Sequence, residues 1–147
     1  HIDFDLDLAV SQSKDNAVYY IQYAHARVNR MVDIRAPEKN IAFDRNQLTS
    51  YNPALLVLDT ETEILSKLAA YPEVITRAAN NYEPHQLGNY LKELAASFHG
   101  WYAQEDVKIL DEQNVALSQA RLLLSVNVQQ VIRNGLVLLG VSAPESM

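Results

Sequence analysis

The chain has 147 residues, of which 48% are hydrophobic and 20% charged, and its net charge is −6. That length suits one domain with a full core, and with no Cys it holds neither disulfides nor thiolate metal sites. The acidic balance excludes nucleic-acid binding by bulk electrostatics and leaves only a local patch for such a role. No apolar run approaches the ~18 residues of a membrane span and no signal peptide is visible, so a cytoplasmic protein with no membrane partner is expected.

The first ten residues alternate Ile2, Phe4, Leu6 and Leu8 with Asp3, Asp5 and Asp7. Period two predicts an extended segment, with its acids in water rather than on a metal. It is expected to pack on a part of a larger protein from which the chain has been cut. Asp15 and Asn16 are good caps for a helix running to Val32. On it Ala17, Ile21, Ala24, Val28 and Val32 form a core stripe. Tyr20, Tyr23 and Arg27 share another face, within roughly 60° of each other. Two aromatics and a guanidinium on one face can pack against a neighbouring helix or meet an RNA. On the residues alone, packing leads.

Pro37–Tyr51 reads as a long surface loop, with Leu55–Leu58 anchoring its far end. Thr60 and Glu63 have the spacing of a capping box. The helix they open is predicted to stop at Pro72, which would then start a second short helix to Asn80. Pro84 opens a long helix whose apolar face is Leu87, Tyr90, Leu91, Leu94, Phe98 and Trp101, and whose polar face carries Asn89, Lys92, Glu93 and His99. Tyr102 falls at the edge of the apolar face near the end. Gly88 and Gly100 are expected to mark a close approach or a bend. Residues 105–117 read as a connection with a helical turn. A last long helix starts at Leu117 with Ser118 as its cap, carries Leu117, Ala120, Leu124, Val128 and Val131 as its stripe, and is apolar on other sides too, so it is central. Asn134-Gly135 is its predicted end.

Few groups suggest chemistry. His85 and His99 lie about 21 Å apart along one helix and cannot share a metal. No nucleophile motif, P-loop or G-x-G-x-x-G is present. No catalytic residue and no metal ligand is expected. His25, beside the core stripe, reads as a satisfied buried histidine. Arg121 falls inside the apolar arc of the last helix and needs a partner, where a salt bridge or a cap to a neighbouring helix end leads over an RNA contact. Arg133 suits a helix C-terminus.

The blocks DFDLDLA (Asp3–Ala9), DNAVYYIQYAHAR (Asp15–Arg27), SFHGWY (Ser97–Tyr102), ARLLL (Ala120–Leu124) and VIRNGLVLLGVSAPESM (Val131–Met147) together resemble the C-terminal region of arginyl-tRNA synthetases, which are class I aminoacyl-tRNA synthetases. The family patterns are D-N-P-V-Y-Y-V-Q-Y-A-H-A-R and V-L-x-N-G-L-x-L-L-G-V-x-A-P-E-x-M. The resemblance implies an all-α bundle of the class I synthetase anticodon-binding (DALR) type. It implies tRNA as partner, through the anticodon stem-loop, and places Tyr20, Tyr23, Arg27, Tyr102 and Met147 in the tRNA-binding site. It also implies a catalytic domain in the same polypeptide that joins arginine to tRNA with ATP, with residues 1–15 an extended segment from the end of that region and residues 16–147 the all-helical anticodon-binding domain. No cofactor is expected in this segment, because the family's H-I-G-H and K-M-S-K-S signatures are absent from it. Ala17 stands where the family often has Pro, and Ala103 where it often has Asn. The alternative is a helical protein–protein interaction domain, which the acidic balance and aromatic faces also allow.

Overall fold

A computed structural model describes residues 16–147, so the expectations for residues 1–15 lie outside it. Among the described residues four long helices form the domain and no strand occurs. We label them α1 (Ala17–Arg30), α2 (Asp59–Asn80), α3 (Pro84–Tyr102) and α4 (Val115–Leu138). The expected all-α bundle is what forms.

Asn16 caps α1, its side chain accepting from the backbone N–H of Val18 at 2.8 Å and of Tyr19 at 3.3 Å. Ile21, Ala24, Val28 and Val32 are buried as expected, whereas Ala17 is only half-buried and Val18 takes its place in the core. After Arg30 the helix widens into a π-helical turn, Met31–Arg35, with the Ala36 N–H bonded to the Met31 carbonyl. The chain then crosses the surface to α2. This stretch has short 3₁₀ turns at Leu48–Ser50 and Pro53–Leu55. Phe43 stacks on Tyr51 at 4.7 Å, and the Tyr51 hydroxyl accepts from the Asp44 N–H. Its far end is anchored by Leu56 alone, since Leu55 and Val57 are exposed.

The predicted break at Pro72 is absent. Helix α2 runs through it to Asn80. Proline removes one hydrogen-bond donor, but Ile64, Tyr71 and Ala78 are buried at seven-residue intervals on both sides of it, and α2 packs against α3. Helices α2 and α3 form a helical hairpin, turning through 81–83. The predicted capping box does not form, and only its carboxylate half appears, two residues earlier and with Leu58 as the N-cap. Glu61, not Glu63, accepts from the Leu58 N–H at 3.1 Å, while Thr60 bonds Gln104 and Glu63 bonds Ser97.

Helix α3 follows its predicted bounds, but Gly100 faces open space and marks no close approach. Residues 105–114 form turns without a helix, pinned by buried Ile109 and Leu110. Helix α4 begins earlier than expected, capped by Asn114, whose side chain accepts from the Leu117 N–H. Ser118 is instead a buried hydroxyl joined to Asp111. The helix also does not stop at Gly135. That glycine is buried against α3, where an added Cβ would stand 2.6 Å from Leu91 Cδ1. The terminating residue is Gly140 at φ +75, with the Val141 N–H on the Leu136 carbonyl and the Gly140 N–H on that of Val137, a Schellman motif. As expected, α4 is central: Leu122, Leu124, Val128, Ile132 and Leu136 are wholly buried. Each contributes roughly 1.5–3 kcal/mol by leaving water.

Arg121 finds its ion-pair partner. Its Nε lies 2.8 Å from Glu61 Oε2, and its Nη1 donates to the Lys108 carbonyl. Glu61 is wholly buried and also accepts from Trp101 Nε1 at 3.1 Å. One carboxylate thus joins the start of α2, the end of α3 and the first turns of α4.

Candidate functional site

The aromatic face of α1 packs on the end of α3, and His99 is what it packs on. The sequence placed His99 on a polar outer face. In the fold it is 9% exposed, with Tyr20, Tyr23 and Phe98 around its ring at centroid distances of 4.8, 5.6 and 5.7 Å. Counting faces on one helix cannot see the neighbour that covers it. His99 Nε2–H donates to the Tyr20 carbonyl, leaving Nδ1 to accept from Arg27 Nη1 at 2.9 Å. Burial lowers its pKa to about 4, and the Arg27 guanidinium adds to that effect.

Arg27 is held by neutral groups. Besides His99, its Cζ lies 4.9 Å from the Tyr23 ring centre and 4.6 Å from that of Tyr102, both cation–π distances. The tyrosine at the end of α3 and the arginine of α1 are thereby brought together, as the sequence-predicted site requires. Both line a cleft of about 580 Å³ with Tyr23 and Met147. Four of the five predicted residues therefore share one cleft. Tyr20 does not line it; with Tyr19, Tyr23, Arg27 and His99 it borders a neighbouring pocket of about 190 Å³.

The cleft includes residues that the sequence reading did not single out. Arg30, Asp33 and Arg35 line it from the end of α1 and the π-helical turn, and Glu145 from the tail. Three arginines thus face two acids in a chain whose net charge is −6. The signal for Arg30 and Arg35 was their spacing from Arg27. The π-helical turn, which sets where residues 33–35 point, has no sequence mark.

The tail reaches the cleft because α1 holds it. Gln22 Nε2 donates to the Ser142 carbonyl at 2.9 Å, His25 Nδ1 to that of Pro144 at 2.9 Å, and Asn29 Nδ2 to that of Glu145 at 3.2 Å. His25 is wholly buried, as expected, and its Nε2 accepts from Arg133 at 3.3 Å. Arg133 is therefore tied to α1 rather than to a helix end. Burial lowers the His25 pKa, with Arg133 acting in the same direction.

A family model described as the DALR anticodon binding domain matches residues 21–147. The chain belongs to this family. Among similar proteins, the arginine–tRNA ligase of Acinetobacter baylyi is 68% identical over 147 residues, which are the whole of this chain and 24% of that protein. The arginine–tRNA ligase of Psychrobacter cryohalolentis is 50% identical over 155 residues, again all of this chain and 25% of the relative. The chain thus spans about a quarter of the length of these relatives. A Campylobacter jejuni structure assigned as an arginyl-tRNA synthetase superposes with a TM-score of 0.75 at 25% identity, over 98% of this chain and 29% of that one. The Thermus thermophilus arginyl-tRNA synthetase gives 0.69 at 29% identity, over 92% and 22%. The DALR domain described here thus matches these structures over nearly its whole length.

The described residues contain no group of His, Asp and Glu able to hold a metal ion. Among the described residues no helix is long and apolar enough to cross a membrane.

Proposed function

We propose that this DALR domain is the anticodon-binding part of an arginine–tRNA ligase and that the cleft between α1, the end of α3 and the tail receives the anticodon loop. The observation that carries the proposal is the meeting of Tyr23, Arg27, Tyr102 and Met147 around one cleft. They come from three separate parts of the sequence. Loop bases that are unstacked can lie on tyrosine rings, and a guanidinium can meet their phosphates. Met147 adds a polarizable apolar wall. Tyr20 contributes from beneath, by packing His99. The domain itself carries no catalytic step. Joining arginine to tRNA with ATP is assigned to a catalytic region of the same polypeptide, in the cytoplasm, and the domain orients the tRNA for it.

The test is Tyr102→Ala in the full-length ligase. Stacking of a base on an aromatic is worth about 1–3 kcal/mol, so KM for tRNA is expected to rise by about ten-fold or more while KM for ATP and arginine stays put. An unchanged KM for tRNA removes Tyr102 from the site. If none of the cleft variants alters tRNA binding, the cleft is a protein-docking surface instead.

A further inference from the structure

Arg27 is held without an acid, as Arg45 and Arg133 are, but alone of those three it lines the cleft. Arg121 is neutralised by Glu61, Arg77 by Glu73, and Arg35 lies 3.8 Å from Glu38. Arg45 is fixed by the amide oxygens of Gln129 and Asn29, and Arg133 by the His25 imidazole, and neither lines the cleft. Arg27 is half-buried beside the cleft, yet its described partners are an imidazole nitrogen, a phenol oxygen at 3.5 Å and two π faces. None of them carries a charge. The guanidinium is thus fixed in place while its full positive charge remains available, with N–H groups to spare.

The acceptor that allows this is His99. An imidazole offers a lone pair only when it is neutral. Its Nε2–H is committed to the Tyr20 carbonyl, which directs the lone pair of Nδ1 at Arg27. The rings of Tyr20, Tyr23 and Phe98 shut water away from it. A carboxylate at this position would also hold Arg27 but would cancel its charge.

We propose that His99 is a positioning residue that holds Arg27 as an un-neutralised guanidinium, and that the ligand of this guanidinium is a phosphate of the bound RNA strand. The second half rests on the tRNA-binding reading above. The first half does not. Preorganisation explains why a neutral acceptor is used: a guanidinium locked in one rotamer loses less entropy on meeting a phosphate, and in a half-buried setting the pair is weakly screened.

The proposal is tested in the full-length ligase with His99→Leu, His99→Asn and His99→Asp, alone and with Arg27→Ala. The readouts are the dissociation constant for arginine tRNA, the thermal midpoint, and the NMR signals of the Arg27 guanidinium without tRNA. Leu removes the acceptor, and tRNA binding is expected to weaken about ten-fold, the scale of one hydrogen bond to a charged group. Asn restores a neutral oxygen near the Nδ1 position and recovers most of that loss. Asp restores the acceptor but neutralises Arg27, so binding weakens as in Leu while the thermal midpoint stays above that of Leu. In the Arg27→Ala background all three variants bind tRNA alike.

Equal weakening by Leu and Asn, or wild-type binding in Asp, overturns the role of the neutral acceptor. A merely structural His99 would make affinity follow the thermal midpoint through the series, which is also contrary to the proposal. If Arg27→Ala leaves tRNA binding unchanged, the RNA ligand falls. The positioning role then stands or falls on whether the ordered guanidinium signal of wild type is lost in His99→Leu and kept in His99→Asp.

Discussion

His99 and His25 are buried imidazoles whose pKa values lie below that of a histidine in water, chiefly because burial penalises the charged form. The sign of the effect on stability follows from linkage. The unfolded chain takes up a proton on each near pH 6.5, and the folded chain does so only at lower pH, about 4 for His99. Stability is therefore fully present above pH 6.5 and is lost as pH falls from there toward 4. For His99 this amounts to about 2 kcal/mol between pH 7.5 and pH 5. Urea unfolding of the domain at the two pH values is expected to show at least that difference, since His25 acts in the same direction, and His99→Asn is expected to reduce it by about the His99 share. The Arg121–Glu61 pair makes a different residue-scale prediction. Arg121→Met leaves the Glu61 carboxylate buried with only Trp101 and the Leu58 N–H as partners, so a loss of about 3–5 kcal/mol is expected by denaturant unfolding. Arg121→Met combined with Glu61→Leu is expected to recover much of it, because the cost lies in the stranded charge rather than in the missing bond. The need for a partner was legible in the sequence, since an arginine inside an apolar arc has no other way to be satisfied. Which residue supplied it was not, because Glu61 lies 60 positions away. His99 was misplaced for the same reason: what covers a side chain is set by another helix.

Among the elements, apolar periodicity located α1, α3 and α4, and the errors fell at their ends and at proline. Asn114 outcompeted Ser118 as a cap because the serine hydroxyl was drawn into the core by Asp111. Gly135 resembled a helix stop, yet it is needed where α4 passes Leu91; Gly140, with its positive φ, does the stopping. A glycine on a helix has two physical uses, and sequence does not separate them. Pro72 shows the balance most plainly. A proline inside a helix costs roughly 3 kcal/mol relative to alanine, and α2 bears that cost because its buried residues lie on both sides of it. Pro72 itself is exposed, so its ring fills no core space. Pro72→Ala restores the missing N–H donor without disturbing packing, and is expected to stabilise the domain by about 2 kcal/mol, the helix gain less a smaller entropic gain by the unfolded chain. Thermal unfolding would read this directly; a lower midpoint would mean that the ring itself shapes the path of α2 along α3.

At the level of the whole molecule, the acidic chain and the proposed RNA partner are reconciled by geography. The cleft gathers Arg27, Arg30 and Arg35 with Asp33 and Glu145, a small positive excess on a protein of net charge −6. Its walls come from the end of α1, the π-helical turn, the end of α3 and a tail drawn in by three side chains of α1. Those ties span 116 to 120 positions and run from side chains to backbone carbonyls, so no pattern in the tail's own sequence announces them. Such an interface has few phosphate contacts, and that has a measurable signature. Each phosphate neutralised by a cation contributes roughly −0.7 to −0.9 to the slope of log K against log salt. Arg30 and Arg35 reach the cleft from exposed positions, and of these two only Arg35 makes an ion pair among the described residues, with Glu38 at 3.8 Å. In the full-length ligase, Arg30→Gln is expected to weaken tRNA binding and flatten the salt slope by nearly one unit. Arg35→Gln is expected to do so by less, because its charge is already shared. Arg133→Gln, whose side chain is engaged by His25 away from the cleft, is expected to leave the slope unchanged. An equal flattening by all three would mean that the RNA senses the charge of the domain as a whole, and that the cleft does not set the footprint.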